Sequence, residues 1–182
     1  VCEKMLSLPE DAIVILTDDS RIALAEVSAR FFGEPAKELT VIGITGTKGK
    51  TTTSLFIYNV LNANGIKTGY IGSNGVKYAK RSFETANTTP ESCELQKYMR
   101  DMVDAGVKYL IREVSSQAIY MNRVHGIKFD CAVFTNLYVD HIGGAEHPTF
   151  EHYRDCKKRL FTDYGAKRII CNTDDPYATY MT

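Results

Sequence analysis

One stretch, VIGITGTKGKTTTS at residues 41–54, constrains the fold more than any other part of the sequence. It begins as a short apolar run, continues as a loop of glycine and threonine, and ends in Gly49-Lys50-Thr51 before a segment with helical apolar spacing. A strand, a tight glycine turn and a helix N-terminus together point several backbone N–H groups at one bound anion. The stretch therefore predicts a phosphate-binding loop.

The side chains of this loop suit a nucleotide that carries a magnesium ion. Glycines at positions 46 and 49 let the backbone approach phosphate oxygens, Lys50 can reach the β- and γ-phosphates, and the Thr51 hydroxyl can ligate Mg²⁺. The usual spacing GxxxxGK[ST] would place a glycine at position 44, where this chain has Ile44, so the loop is a variant. A glycine turn without a ligand is the alternative. The expected nucleotide-binding residues are Gly46, Thr47, Lys48, Gly49, Lys50, Thr51 and Thr52.

Composition and charge exclude several classes of protein. The 22 basic and 22 acidic side chains cancel, so nothing favours nucleic acid or an anionic membrane surface as a partner. The five cysteines are odd in number and lack CxxC spacing, which argues against a disulfide framework and a zinc site. No apolar run has the length of a membrane span, and residues 1–20 do not resemble a signal peptide. We expect a cytoplasmic monomer.

After residue 40 the sequence alternates between strand and helix patterns, which predicts an α/β fold: a P-loop-type, mostly parallel sheet flanked by helices. The predicted strands are residues 41–44, 67–72, 107–114, 129–137 and 168–171, with a hairpin-like stretch at 73–86. The predicted helices are residues 50–64, a segment with Thr89 as N-cap and Pro90 in its first turn that ends at Gly106, and a helix that begins near Pro148. Ligands of such a sheet bind at the C-terminal strand ends.

The residues before 40 are predicted to be the tail of a small N-terminal α/β domain. Residues 12–17 form a strand pattern, and residues 35–39 a linker. Between them, Ser20 is expected to cap a helix that extends to Phe32. The apolar side of that helix is predicted to consist of Leu24, Val27, Ser28 and Phe31.

Glu113 and His141 follow predicted strands at the edge where ligands bind. Glu113 is placed to share a metal ion with Thr51, although a strand-end acid that caps the next helix is the alternative. His141 is a candidate ligand, but a lone histidine is also commonly structural. Arg112 lies inside the same strand on the face opposite Glu113, and nothing in the sequence accounts for it.

Lys157 lies in the middle of an apolar helical stripe formed with Phe150, Tyr153, Leu160 and Phe161. An inward-facing lysine must be paired, neutral or modified, because burial of a lone ammonium is costly. Extension of the side chain past the stripe to solvent is the alternative. A neutral Lys157 could react with CO₂ to give a carbamate, which is an anionic metal ligand.

Five motifs stand in one order along the chain: TGTKGKTTT, NTTP, EVSS, FTNL-x-x-DH and CKKRLF. Together they resemble the Mur ligase family, and within it the UDP-N-acetylmuramoyl-tripeptide synthetases, over essentially the whole chain. The resemblance implies that residues 1–39 are the end of an N-terminal UDP-substrate domain and that residues 40–182 are a truncated central ATP-binding domain. It also implies that a C-terminal ligase domain is absent and that residues 1–182 alone do not turn over.

The resemblance implies an ATP- and Mg²⁺-dependent ligase of peptidoglycan synthesis, in which a diamino acid is joined to UDP-MurNAc-L-Ala-D-Glu through an acyl phosphate. Carried over by position, the catalytic residues are Lys50, Glu113, His141 and Lys157. The implied metal ligands are Thr51, Glu113, His141 and carbamylated Lys157. The implied contacts to the UDP-MurNAc-peptide are Thr88, Thr89, Ser115 and Arg123.

The chain departs from the family's pattern in three places. It has Gln117 where His is frequent and Met121 where Gln is frequent, and it reads IGGAEHP after Asp140-His141 instead of LDYHG. Two other interpretations remain open: a folylpolyglutamate synthase-like ligase, whose loop resembles GTNGKGS, and a noncatalytic module that binds a nucleotide or a UDP-sugar. A P-loop GTPase is disfavoured because no NKxD motif occurs.

Overall fold

The computed structural model describes residues 1–4, 9, 13–143 and 146–182. The elements in chain order are α1 (Ser20–Phe31), a 3₁₀ helix (Pro35–Glu38), β1 (Thr40–Thr45), α2 (Lys50–Ala63), β2 (Thr68–Gly72), β3 (Gly75–Tyr78), β4 (Arg81–Phe83), α3 (Ser92–Asp104), β5 (Tyr109–Glu113), α4 (Ser116–Tyr120), β6 (Cys131–Phe134), α5 (Phe150–Thr162), β7 (Arg168–Cys171) and α6 (Ala178–Met181). No helix in these ranges has both the length and the apolar character that a bilayer crossing requires.

The described strands form one sheet in the order β4-β3-β2-β5-β1-β6-β7. Neighbours from β2 to β7 in this order pair in parallel, while β3 and β4 add an antiparallel hairpin at one edge. The predicted mostly parallel α/β sheet and the hairpin-like stretch after β2 are therefore confirmed. Because β1 lies between β5 and β6, the loop that follows β1 emerges beside the C-terminal ends of both neighbours.

The two faces of the sheet are covered by different helices. On one face, Ile44 and Ile111 are fully buried and pack against Leu61 of α2. On the other face, Leu110 belongs to a larger cluster that includes Leu160 of α5. Successive strand residues point to opposite faces, so strands covered on both sides read as continuous apolar runs. This is why the sequence pattern of the strands was easy to recognise.

The predicted start of α3 is wrong. α3 begins at Ser92 with Glu91 as its N-cap, so neither Thr89 nor Pro90 opens it. The Thr89 hydroxyl instead donates a buried hydrogen bond to the Glu113 carbonyl oxygen at 3.1 Å. A hydroxyl held by the neighbouring strand cannot cap a helix, and the helix starts directly after Glu91, whose backbone is extended.

The first predicted strand is also wrong for the residues that the structure describes. Residue 12 lies outside the described ranges, and within 13–17 there is an isolated bridge between Leu16 and Cys2 but no strand. α1 begins at the predicted Ser20, yet its cap is Asp19, whose carboxylate accepts from the backbone N–H groups of Arg21 and Ile22. A carboxylate that reaches two N–H groups satisfies more of the helix end than a single hydroxyl would.

The predicted apolar side of α1 is only partly correct. α1 packs against α3, and its buried residues are Ala25 and Ser28. Leu24 and Val27 are exposed, and Phe31 is 81% exposed. The helix therefore turns its small side chains towards α3, because they allow close approach, and its large apolar side chains stay uncovered by the described part of the chain.

Arg112 is a fully buried cation in the middle of the sheet. Its three guanidinium nitrogens have no hydrogen-bond partner within the described ranges, and its Cζ lies 6.0 Å from the centroid of the Phe129 ring. Burial lowers the pKa of Arg112 to about 9. The side chain lies on the opposite face of β5 from Glu113, as the strand period predicts.

Candidate active site

The phosphate loop connects β1 to α2 through two glycines with left-handed backbone. Gly46 has φ +148°, and Gly49, which is the N-cap of α2, has φ +84°. A Cβ atom on Gly46 would lie 2.0 Å from the Thr135 hydroxyl oxygen. Glycine is therefore required at position 46 by space as well as by conformation.

The loop is held from behind by the residues that follow β6. The Thr47 N–H donates to the Asn136 carbonyl oxygen, and the Lys48 N–H donates to the Asn136 side-chain oxygen, both at 2.9 Å. The Thr47 hydroxyl accepts from the Tyr138 N–H at 3.0 Å and is buried. These contacts end β6 at Phe134 instead of at residue 137, and they direct the Thr47 side chain into the protein.

Lys50 lies folded over the loop at the start of α2. Its ammonium donates to the carbonyl oxygens of Gly46 and Thr47 at 2.9 and 3.0 Å. Partial burial lowers the pKa of Lys50, while the nearby Glu113 carboxylate opposes that shift. A phosphate group would offer this cation a stronger, charge-assisted partner than two carbonyl dipoles.

Thr51 and Glu113 meet, as the sequence predicted. The Thr51 hydroxyl donates to the Glu113 carboxylate at 2.9 Å, and Glu113 is fully buried. A hydroxyl and a carboxylate in contact are a pair of hard oxygen donors of the kind that Mg²⁺ prefers. The alternative role of Glu113 as a helix cap is not observed, because Ser115 caps α4.

The sequence analysis missed the residues that hold Glu113 in place. Tyr70 donates its hydroxyl to the carboxylate at 2.5 Å, and the Ser73 N–H donates at 3.0 Å. Burial, and then the hydrogen bond to Glu113, raises the pKa of Tyr70 far above its usual value, so this hydroxyl remains a donor. Gly72 leaves room for the contact, since a Cβ there would lie 2.2 Å from a Glu113 oxygen. Their position at the C-terminal end of β2 was the available signal.

Lys157 points into the protein, so extension of its side chain to solvent is excluded. The side chain is 1% exposed, and its nitrogen donates to the Gly46 carbonyl oxygen at 3.0 Å. The same nitrogen lies 4.4 Å from the centroid of the Tyr153 ring. Burial, and then the proximity of Lys50, lowers the pKa of Lys157 well below its usual value. Burial therefore disfavours the ammonium form of Lys157 and favours its neutral amine.

His141 lies at the mouth of the site in a strained backbone conformation. Its φ is +57°, and its Nδ1 atom lies 2.7 Å from a Glu146 carboxylate oxygen. The preceding Asp140 pairs with Lys48 at 3.0 Å, and that hydrogen bond lowers the pKa of Asp140. Glu146 thus holds His141 in place. The sequence analysis noted the IGGAEHP segment but assigned no role to this acid.

Six predicted residues line one cavity of about 250 Å³: Lys50, Thr88, Ser115, Arg123, His141 and Lys157. Arg123 forms a 2.7 Å ion pair with Glu91. Thr88 lies 3.0 Å from the Ser73 hydroxyl. Thr89 is buried behind the residues that line the cavity, and its hydroxyl donates to the Glu113 carbonyl oxygen. The structure therefore brings all the predicted substrate residues except Thr89 to the cavity.

Residues 44–182 match the family model described as the Mur ligase middle domain. This chain belongs to the Mur ligase family. It is 44% identical to the UDP-N-acetylmuramoyl-L-alanyl-D-glutamate–2,6-diaminopimelate ligase of Geobacillus kaustophilus (strain HTA426), over 99% of the chain and 37% of that relative. It is 43% identical to the ligase of the same name from Clostridium botulinum (strain ATCC 19397 / Type A), over 97% of the chain and 36% of the relative. The chain thus spans little more than a third of these relatives.

Solved structures give the same grouping. The structure of a UDP-N-acetylmuramoyl-L-alanyl-D-glutamate–2,6-diaminopimelate ligase superposes with a TM-score of 0.85 at 29% identity, over 98% of this chain and 36% of that one. A Mycobacterium tuberculosis folylpolyglutamate synthase complexed with ADP and AMPPCP superposes with a TM-score of 0.68 at 14% identity, over 88% of this chain and 43% of that one. The second likeness shows a shared fold alone.

The cavity of this Mur ligase chain also includes residues that sequence reasoning did not assign. Ser116, Gln117, Glu146 and His147 all line it. The His147 Nε2 atom lies 2.9 Å from the Ser116 hydroxyl, and burial lowers the pKa of His147 to about 4. Gln117 and the IGGAEHP segment are the places where the sequence departs from the family's pattern. Those departures were the available signal that these positions belong to the site.

Proposed function

We propose that this Mur ligase chain supplies the ATP-binding core of a ligase that joins a diamino acid to UDP-MurNAc-L-Ala-D-Glu. The observation that carries the proposal is the convergence of two lysines on one carbonyl group: Lys50 and Lys157 both donate to Gly46, beside the Thr51–Glu113 pair. Residues 40–182 would form the central domain, and residues 1–39 would be the end of the domain that binds the UDP-substrate. The names of the relatives favour 2,6-diaminopimelate as the amino acid.

The oxygen donors of this site fit a magnesium ion. The Thr51 hydroxyl and the Glu113 carboxylate would hold it, with His141 and a carbamylated Lys157 as candidate ligands of a second ion. When bound, Mg²⁺ neutralises the charge of the phosphate oxygens. Tyr70 and Ser73 orient Glu113 by donating to its carboxylate, so that its remaining lone pairs face Thr51.

The reaction requires a carboxylate to be converted into an electrophile. The D-glutamate carboxylate attacks the γ-phosphorus of ATP, the bond to ADP breaks, and an acyl phosphate forms. The amine of the diamino acid then attacks the acyl carbon, loses a proton, and expels inorganic phosphate to give the amide. Lys50 would exchange its contacts with the loop carbonyls for the phosphate oxygens and would stabilise the negative charge that is transferred.

Lys157 can serve this chemistry because burial favours its neutral amine. Its amine would add to the carbon of CO₂ and lose a proton, which converts a buried base into an anionic carbamate. The carbamate would then border the cavity that Lys50, His141 and Lys157 itself line. Burial favours the reaction with CO₂ because it disfavours the ammonium form of Lys157, which cannot react.

Calorimetric titration of the chain with Mg²⁺-ATP tests the nucleotide part of the proposal. Lys50→Ala should weaken binding at least about tenfold, because a charge-assisted contact to phosphate is lost. Lys67→Ala, at a lysine remote from the loop, is the matched control and should bind as the native chain does. Native affinity in Lys50→Ala would mean that phosphates bind elsewhere.

The magnesium part needs a separate titration with the analogue AMPPCP, with and without Mg²⁺. In the native chain Mg²⁺ should raise the affinity for the analogue, and in Glu113→Gln that increase should disappear. Glu84→Gln changes an exposed acid and should leave the increase intact. An increase that persists in Glu113→Gln would remove Glu113 from the metal site. A noncatalytic nucleotide-binding module would pass both tests, and it is distinguished in the protein that carries this chain, which would release no ADP in the presence of the UDP-MurNAc-dipeptide and the diamino acid.

A further inference from the structure

A second group of metal-binding side chains lies beside the phosphate site but shares none of its proposed ligands. His152 and Cys156 are four residues apart on α5, and His147 comes from the segment before this helix. The ligand atoms of these three residues all lie within 4.8 Å of one another. The Nδ1 atoms of His147 and His152 are 2.8 Å apart, and the Cys156 sulfur lies 3.9 Å from the latter.

The rings are held in this arrangement from behind. The Nε2 atom of His147 contacts the Ser116 hydroxyl at 2.9 Å, which leaves Nδ1 directed at His152. The His152 ring meets the Tyr120 ring edge-on, with 4.8 Å between centroids. His147 and Cys156 are both buried. Contacts that fix the ring orientation of a histidine are typical of the surroundings of metal sites.

The donor set indicates which cation would bind. Two imidazole nitrogens and one thiolate suit Zn²⁺, whose bonds to nitrogen and sulfur are about 2.0–2.3 Å long. A separation of 2.8 Å between the Nδ1 atoms is shorter than a tetrahedral ion needs, so the two rings would move apart by a few tenths of an ångström. Mg²⁺ would not compete, because it requires oxygen donors and these three side chains offer none.

We propose that His147, His152 and Cys156 form a zinc site in which three protein ligands leave one position open to water or to a ligand in the adjacent cavity. The mixed H-x₄-H-x₃-C spacing explains why a search for CxxC pairs overlooked it. The site would join α5, which carries Lys157, to the wall that contains His147 and Ser116. It does not depend on the ligase proposal, because none of its ligands is assigned to ATP or Mg²⁺.

The first test is a zinc titration of the metal-free 182-residue chain against a chromophoric chelator, in millimolar Mg²⁺. The chain should bind one equivalent of Zn²⁺, and His152→Gln and Cys156→Ser should each weaken binding at least about tenfold. His125→Gln and Cys171→Ser are the matched controls and should bind as the native chain does. Failure of the native chain to bind Zn²⁺ would show that the histidine pair is only a hydrogen bond.

Cobalt substitution identifies the ligands directly. Co²⁺ in the native chain should give a thiolate-to-cobalt charge-transfer band that Cys156→Ser loses and His141→Gln keeps. The opposite pattern, or a band that survives in Cys156→Ser, would place the ion elsewhere and overturn the proposal. Because Cys156 is buried, circular dichroism should accompany each variant, and the half-buried His152 gives a second variant if Cys156→Ser does not fold.

Discussion

Two buried basic side chains, Lys157 and Arg112, lie in different regions of this molecule and have different surroundings. Lys157 lies at the C-terminal edge of the sheet, donates to the Gly46 carbonyl oxygen and borders a cavity. Arg112 lies inside the sheet and has no hydrogen-bond partner in the described ranges. Burial lowers the pKa of both.

The difference shows what burial does to each group. Burial lowers the pKa of Lys157 from a lower starting value and so favours its neutral, reactive amine, whereas Arg112, with a pKa of about 9, remains charged at neutral pH. The first shift produces a chemical group that the proposed reaction needs. The second is a cost to folding that the face of the Phe129 ring partly offsets.

The largest expected effect is that of Lys157→Met on catalysis. In the protein that carries this chain, the rate of ATP-dependent amide formation should fall at least about 100-fold, because a charge-stabilising group is lost from the site. The melting temperature should stay the same or rise, since a buried polar group is replaced by an apolar one. Lys158→Met, on the other side of α5, should leave the rate unchanged. An unimpaired Lys157→Met enzyme would mean that Lys157, like Arg112, takes no part in the reaction.

Arg112→Met should change the stability of the protein and leave its function unchanged. The free energy of unfolding should rise by about 1–4 kcal/mol at neutral pH, because a buried charge without a partner is removed. Nucleotide affinity should not change, since Arg112 lies on the opposite face from Glu113. Urea unfolding measures the first quantity, with the exposed Arg168→Met as the control. A marked loss of stability would contradict the account of Arg112 as a buried charge without a partner.

The Gly46 carbonyl oxygen is the acceptor that Lys50 and Lys157 share. Replacement of Gly46 tests how closely the loop packs against Thr135. Gly46→Ala should lower the free energy of unfolding by about 1–3 kcal/mol more than Gly65→Ala does. Both glycines have positive φ, but a Cβ at Gly65 meets open space, whereas one at Gly46 meets Thr135. Urea unfolding of the pair separates the clash from the backbone strain. Equal losses would mean that the loop can move away from Thr135.

The smallest effect is a pH dependence. The pKa of Arg112 is lowered from 12.5 to about 9 on folding, so above pH 9 the unfolded chain holds more protons than the folded chain. Stability of the native chain relative to Arg112→Met should therefore be constant below about pH 8.5 and should improve as the pH rises through 9. Urea midpoints measured for both proteins between about pH 8 and about pH 10.5 give this difference. Parallel curves would contradict the assigned shift.

Much of the active edge could be predicted from the sequence because its signals are local. Gly46, Lys50 and Thr51 lie within one short motif, and helical periodicity alone placed Lys157 inward. The meeting of Thr51 with Glu113 followed from strand order in a parallel sheet. These inferences needed the period of an element or the rule for strand ends, and nothing about packing.

The remainder depended on tertiary contacts that no local pattern encodes. The sequence predicted Thr89 as a helix cap, but its hydroxyl donates to a backbone carbonyl oxygen of β5. The large apolar residues of α1 looked like a core face, yet the helix packs through Ala25 and Ser28. Tyr70 was missed because its partner Glu113 lies 43 residues away in sequence. The histidine pair is local, but its mixed spacing with Cys156 does not match a CxxC pattern.

The most direct test of the contrast between Lys157 and Arg112 is ¹³C NMR of the chain in ¹³C-labelled bicarbonate. The account predicts a carbamate resonance in the native protein and in Lys158→Met, and its loss in Lys157→Met. Arg112→Met should keep the resonance, because the guanidinium takes no part in this chemistry. Absence of a carbamate resonance from the native chain, or its persistence in Lys157→Met, would contradict the claim that burial makes Lys157 the reactive amine of this site.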